Sequence, residues 1–153
     1  MPAGDRGAAS GAPSHCPDGA AVLSAAKLVG FVATARPDES RRFYQGILGL
    51  SIIEESPFAL VFDASGTELR VQKVQALAPA PYTALGWQVD DIAAIARRLR
   101  EQGILLERYP GLLQDELGIW SAPDGSRVAW FKDPDGNTLS VTQRGEALWP
   151  RSA

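Results

Sequence analysis

From Lys27 onward the large apolar residues fall into short runs broken by turn-forming residues, and the runs repeat one order twice. Leu28 to Thr34 is a β-prone run, followed by Pro37-Asp38-Glu39-Ser40, where a proline and early acids favour a helix start. That helix carries Phe43, Ile47 and Leu48 on one side and stops at Gly49, a residue suited to the left-handed position that closes many helices. Strands are expected at Ser51 to Glu55, Ala59 to Asp63 and Glu68 to Lys73, with Ser65-Gly66 turning between the last two. The first unit therefore reads βαβββ.

After the proline-rich connection Ala78-Pro79-Ala80-Pro81 the order starts again. Thr83 to Val89 reads as a strand. Asp90 or Asp91 can cap the next helix, in which Ile92, Ile95, Ala96 and Leu99 fall at helical spacing before Gly103 ends it. Strands at Leu105 to Arg108, around Ile119 to Ser121, at Arg127 to Phe131 and at Thr138 to Gln143 complete the unit, with turns at Pro123-Asp124-Gly125 and Pro134-Asp135-Gly136. The modules run from about 27 to 75 and 83 to 143. Together they make one α+β domain over 27–145, followed by a short tail at 146–153.

Strand parity sorts residues into two faces. Ala84, Gly86 and Gln88 face one way while Leu85, Trp87 and Val89 face the other; Glu68, Arg70 and Gln72 alternate against Leu69 and Val71; Thr138, Ser140 and Thr142 alternate against Leu139 and Val141. The apolar sets belong against the helices. A one-residue slip would push Arg70 into the core, which its desolvation cost opposes.

Composition narrows the function classes. The 153 residues suit a single domain with a sizeable core, and a net charge of −3 supplies no basic field for phosphate backbones, so nucleic acid is not an expected partner. Met1 to Ala26 is rich in Gly, Ala, Ser and Pro and reads as a disordered tail without the basic start and unbroken apolar run of a signal peptide. No later run approaches the roughly 20 apolar residues of a membrane span, and the lone Cys16 cannot form an internal disulfide; a cytoplasmic, membrane-free protein is expected.

Four pieces carry a family likeness: the first helix with Ser40-Arg41-Arg42-Phe43-Tyr44 and Ile47-Leu48-Gly49-Leu50, the run Trp87-Gln88-Val89-Asp90-Asp91, the paired modules, and the hairpin Asp133-Pro134-Asp135-Gly136-Asn137. In this order, over about Lys27 to Gln143, they resemble the vicinal-oxygen-chelate superfamily of glyoxalases, bleomycin-resistance proteins and extradiol dioxygenases. The resemblance implies curved sheets forming an open cup with helices outside. It also implies a divalent metal held by the first and last strands of each module, a Lewis acid for adjacent substrate oxygens. The positions that match are Val29, Arg70, Ala84 and Ser140, none of them a good ligand. No metal and no other cofactor is expected, and a homodimer follows from the resemblance alone.

The cup is then expected to be lined by Val29, Phe31, Glu68, Arg70, Gln72, Ala84, Gly86, Gln88, Trp120 and Ser140. Arg70 either attracts an anionic or carbonyl-bearing ligand or pairs with Glu68, Glu54 or Asp63. Trp120 and Trp130 offer flat walls for an aromatic guest; Trp130 reads more as core and Trp120, beside Gly118, as pocket. Ser140 has no histidine to activate it, since His15 lies in the tail. Tyr44 and Tyr82 read as packed or solvated rather than as acids, and the loop from Tyr109 to Gly118 as either a lid or a plain connection.

Two function classes remain from sequence. One is metal-independent binding of a small hydrophobic or aromatic molecule, as in sequestration of a drug or natural product. The other is an enzyme of lyase, isomerase or dioxygenase type. It would act metal-free through Arg70 and a carboxylate such as Glu68, or through an atypical oxygen site drawn from Glu54, Glu68, Asp115 and Glu116. No residue is assigned a catalytic role.

Overall fold

The computed structural model of the protein describes residues 21–145. Most of the expected tail, with His15 and Cys16, lies outside them, as does 146–153. Two open four-stranded sheets are built from repeated units. In the first, β1 (Val29–Thr34) leads to α1 (Pro37–Arg41), then β2 (Ser51–Glu55), β3 (Ala59–Ala64) and β4 (Thr67–Lys73). In the second, β5 (Thr83–Gln88) leads to α2 (Ile92–Glu101), then β6 (Trp120–Ser121), β7 (Arg127–Lys132) and β8 (Thr138–Gln143). The strand orders are β1-β4-β3-β2 and β5-β8-β7-β6, the first strand of each module running parallel to its last. This is the α+β architecture of tandem βαβββ modules expected from sequence.

Local chemistry places the ends. Pro37 opens α1 with Asp38 and Glu39 in its first turn. The helix then widens into a π-helical turn over Arg42–Ile47, with the Leu48 amide reaching back five residues to the Phe43 carbonyl at 2.9 Å. Gly49 follows at φ 76°, a value that disfavours any side chain. Asp91 caps α2 by accepting from the Ala94 amide at 3.1 Å.

One expected strand is absent. Leu105 to Arg108 forms no ladder; it makes a single backbone bond to β7, from the Glu107 amide to the Trp130 carbonyl at 2.7 Å. The free edge of β7 is shared, because β6 takes Arg127 and Val128. The rest of 104–119 is a loop knotted by Gln114, whose amide oxygen accepts from the Tyr109 amide (2.8 Å) and whose amide nitrogen donates to the Glu107 and Gly118 carbonyls (2.9 and 2.8 Å).

A single apolar core joins both modules: Tyr44, Phe62 and Val71 from the first meet Ile92, Phe131 and Leu139 from the second. Phe43 stands edge-on to Tyr44 at 5.0 Å between ring centres and reaches Phe131 at 6.3 Å. Alongside it runs a polar tie made by the hairpin between β7 and β8. The Asp133 carboxylate, 5% exposed, accepts from the Tyr44 hydroxyl at 2.7 Å, the Asp135 and Asn137 amides and the Asn137 side chain. Asp135 accepts from the Thr34 hydroxyl at 2.5 Å, the Ala35 amide at 2.8 Å and the Ser40 hydroxyl at 3.3 Å, and Asn137 donates to the Ala33 carbonyl at 2.9 Å. Thr34 and Ser40 are fully buried, so these bonds replace the water their hydroxyls would otherwise need.

Burial, together with the adjacent Asp133 carboxylate, pushes the Tyr44 phenol far above its ordinary range and keeps it a donor. Because the folded-state pKa is the raised one, the stabilisation is whole below the unfolded tyrosine's pKa of about 10 and is lost as pH rises past it. Urea unfolding should therefore show wild-type stability falling above pH 10 more steeply than Tyr44→Phe, by up to about 1.4 kcal/mol per pH unit. Parallel curves for the two proteins would refute the buried phenol.

Candidate binding cup

The face of each sheet turned away from the helices forms the candidate site, and register fixes its rows. In the first sheet Val61, Arg70 and Phe31 stand in one row across β3, β4 and β1, and Asp63, Glu68 and Val29 in the next. In the second, Gly86, Ser140 and Trp130 align across β5, β8 and β7, and Gln88, Thr142, Val128 and Trp120 continue to the edge. The sheets meet along β1 and β5, where a Cβ on Gly30 would lie 3.6 Å from Leu69 and 3.7 Å from Leu85. Parity explains the sorting: Leu85, Leu139 and Phe131 alternate with the cup residues and pack into the core.

Each residue expected at the site can be placed. Phe31 is 58% exposed beside Arg70. The Arg70 Nε donates to Glu68 at 2.8 Å, and this bond raises the guanidinium pKa further, so the group is permanently charged. Its two terminal nitrogens have no hydrogen bond among the described residues. Val29 and Gln72 flank this pair on the same face, level with Glu68 and Ala33 respectively. Ala84 sits in a β-bulge, exposed and outside the ladder, and Gln88 accepts from the Arg144 guanidinium at 3.2 Å.

Ser140 is buried at 7% exposure, so it is floor rather than wall. Its hydroxyl leans over Gly86, where an added Cβ would come within 2.7 Å of Oγ; glycine is what leaves room for that hydroxyl.

Trp130 departs from the expectation that it packs in the core. It is half-buried in register with Ser140, while its neighbours Ala129 and Phe131 take the core positions. Its ring lies 6.1 Å from Trp120 at 32° and meets Tyr109 edge-on at 5.3 Å, which makes a three-ring wall. Burial, then the nearby Glu107 carboxylate, push the Tyr109 phenol up, so it stays protonated near neutral pH. Strict alternation between Ala129 and Phe131 would have put Trp130 in the cup. Tyr109 carries no comparable sequence signal, since the Gln114 knot that brings it to Trp130 is made by contacts within an irregular loop. Tyr82 is 69% exposed and Tyr44 is committed to Asp133; neither joins the site.

With this geometry in view, the model of the glyoxalase/bleomycin resistance protein/dioxygenase superfamily matches residues 25–141, and the chain belongs to that superfamily. Among solved structures it is similar to a lactoylglutathione lyase from Agrobacterium tumefaciens (20% identity, 80% of this chain and 96% of that one, TM-score 0.60). It is also similar to a glyoxalase/bleomycin resistance protein/dioxygenase from Nocardioides (19% identity, 88% and 93%, TM-score 0.61). These two likenesses concern the fold. The protein named oxidase ChaP-H1 is 27% identical, over 80% of this chain and 98% of that one, with a TM-score of 0.61. No curated protein matches the sequence.

The superfamily's metal does not fit this donor set. Val29, Arg70, Ala84 and Ser140 offer two aliphatic side chains, a cation and a neutral hydroxyl, and an ion would be repelled by the guanidinium. Among the described residues no three His, Cys, Asp or Glu side chains gather as a metal-holding group. Asp115 accepts from the Leu117 and Ile119 amides at 2.9 Å each.

The Gln114 knot should be what holds Tyr109 to Trp130. Gln114→Ala should cost about 1–2 kcal/mol of stability, from bonds lost to half-buried partners, and increase acrylamide quenching of tryptophan fluorescence. Unchanged quenching would mean that the loop holds its place without the knot.

Proposed function

We propose that this chain is a metal-independent binding protein that encloses a small, flat aromatic molecule carrying an anionic or carbonyl group, in the manner of a sequestering protein. Two observations support this reading: the wall of Trp120, Trp130 and Tyr109 on the second sheet, and Arg70 on the first, whose terminal nitrogens are available to a ligand. Aromatic walls give large contact area at low entropic cost, and a guanidinium fork selects a planar oxygen pair. Gly86 and Ala84 are exposed on β5 and carry little or no side chain to obstruct a guest.

The second reading is a metal-free enzyme. It is favoured by the likeness to a protein named as an oxidase and by the Glu68–Arg70 pair, which sets a carboxylate 2.8 Å from a fixed cation. In that reading Glu68 moves a proton and Arg70 stabilises the oxyanion left behind.

Screening aromatic acids by tryptophan fluorescence, then analysing the recovered ligand, separates the two. Sequestration predicts that the ligand returns unchanged after long incubation, whereas a transformed ligand supports the enzyme. Arg70→Ala should weaken the best anionic ligand about tenfold and leave a neutral analogue of the same ring nearly unaffected. An anionic affinity unchanged by the substitution would remove Arg70 from the site.

A further inference from the structure

The convex side carries a groove that the cup does not use. It has a volume of about 800 Å³ and lies where the π-helical turn faces the segment after α2 and the start of the β7–β8 hairpin. Ile47, Ile104 and Pro134 line it with apolar surface beside Arg42, Lys132 and Gln102; the carboxylates Glu39 and Asp133 line it too, the first paired with Arg36 and the second buried and bonded to Tyr44. A smaller depression of about 180 Å³ shares Ile47 and Gln102 and extends the groove along α2 toward Arg98.

Three features single this groove out. Gly46 lines it, and a Cβ built there meets open space, with nothing within 4 Å. Neither the Arg42 nor the Lys132 side chain has a hydrogen bond or ion pair among the described residues, whereas nearby charges are matched: Arg41 with Glu55, and Arg36 with Glu39. The chain as a whole carries a net charge of −3, so two unmatched cations beside one apolar groove are a local excess against the overall sign. Its size falls within the range of small-molecule sites.

We propose that this groove is a second binding site, separate from the cup, for a small amphiphilic anion: an apolar chain or ring body resting on Ile47, Ile104 and Pro134, with one carboxylate or sulfonate between Arg42 and Lys132. Charge complementarity selects the headgroup. The open space over Gly46 admits the body.

The test uses sodium decanoate, below its micellar concentration, titrated calorimetrically into the full chain. One saturable site is expected. Gly46→Leu adds a side chain whose Cβ meets nothing within 4 Å and improves helix propensity, so it should fold normally and bind decanoate at least about tenfold more weakly. Arg42→Glu combined with Lys132→Glu should weaken binding by a similar factor, more at low salt than at high. An aromatic acid bound in the cup should keep its affinity in both variants. Absence of saturable binding would overturn the proposal, as would decanoate affinity unchanged by Gly46→Leu or competition between decanoate and the cup ligand. A change of sedimentation in Gly46→Leu, with no decanoate bound by wild type, would assign the groove to a contact between copies instead.

Discussion

Two carboxylates and one carboxamide in a five-residue hairpin hold this molecule in register. Asp133, Asp135 and Asn137 belong to the second module by sequence, yet their partners Tyr44, Thr34, Ser40, Ala35 and Ala33 all lie in the first. Buried acceptors of this kind are costly when any partner is missing and geometrically strict when all are present. The apolar core supplies adhesion between the modules; the hairpin supplies their alignment.

That alignment reaches directly into the cup. The hairpin joins the strand that carries Trp130 to the strand that carries Ser140, and it grips the end of β1, two residues beyond Phe31. Phe31, Trp130 and Ser140 thus stand on strands whose ends this hairpin ties together. The same hairpin base borders the convex groove at Lys132 and Pro134. One polar tie therefore sets the geometry of both concave and convex surfaces.

Much of this was legible in the sequence, because period-two alternation and helix-end chemistry are local. Eight strand regions and both helices followed from Pro37, Asp91, Gly49, Gly103 and the alternation of Leu69 and Val71 around Arg70. The misplaced strand at Leu105 to Arg108 shows the limit: β6 pairs with Arg127 and Val128, and on the remaining edge of β7 the run makes one bond, from Glu107 to Trp130, and no ladder. Trp130 reads more as core in the sequence, although its own alternation points outward. Tyr109 was invisible because Gln114 places it through three bonds that have no periodic signature. Whether Arg70 would pair or stay available also lay beyond the sequence; it does both, giving Nε to Glu68 and leaving its terminal nitrogens open.

The proposed metal independence rests on the chemistry of four side chains at the positions that the family resemblance assigns to metal ligands. Crystals soaked with Zn²⁺, Ni²⁺ or Mn²⁺ and measured at each metal's absorption edge would locate any ion independently of activity. With Val29, Arg70, Ala84 and Ser140 as the available groups, anomalous density should be missing from the concave surface at every edge. A peak there, coordinated by residues of β1, β4, β5 or β8, would contradict the metal-independent reading of the site.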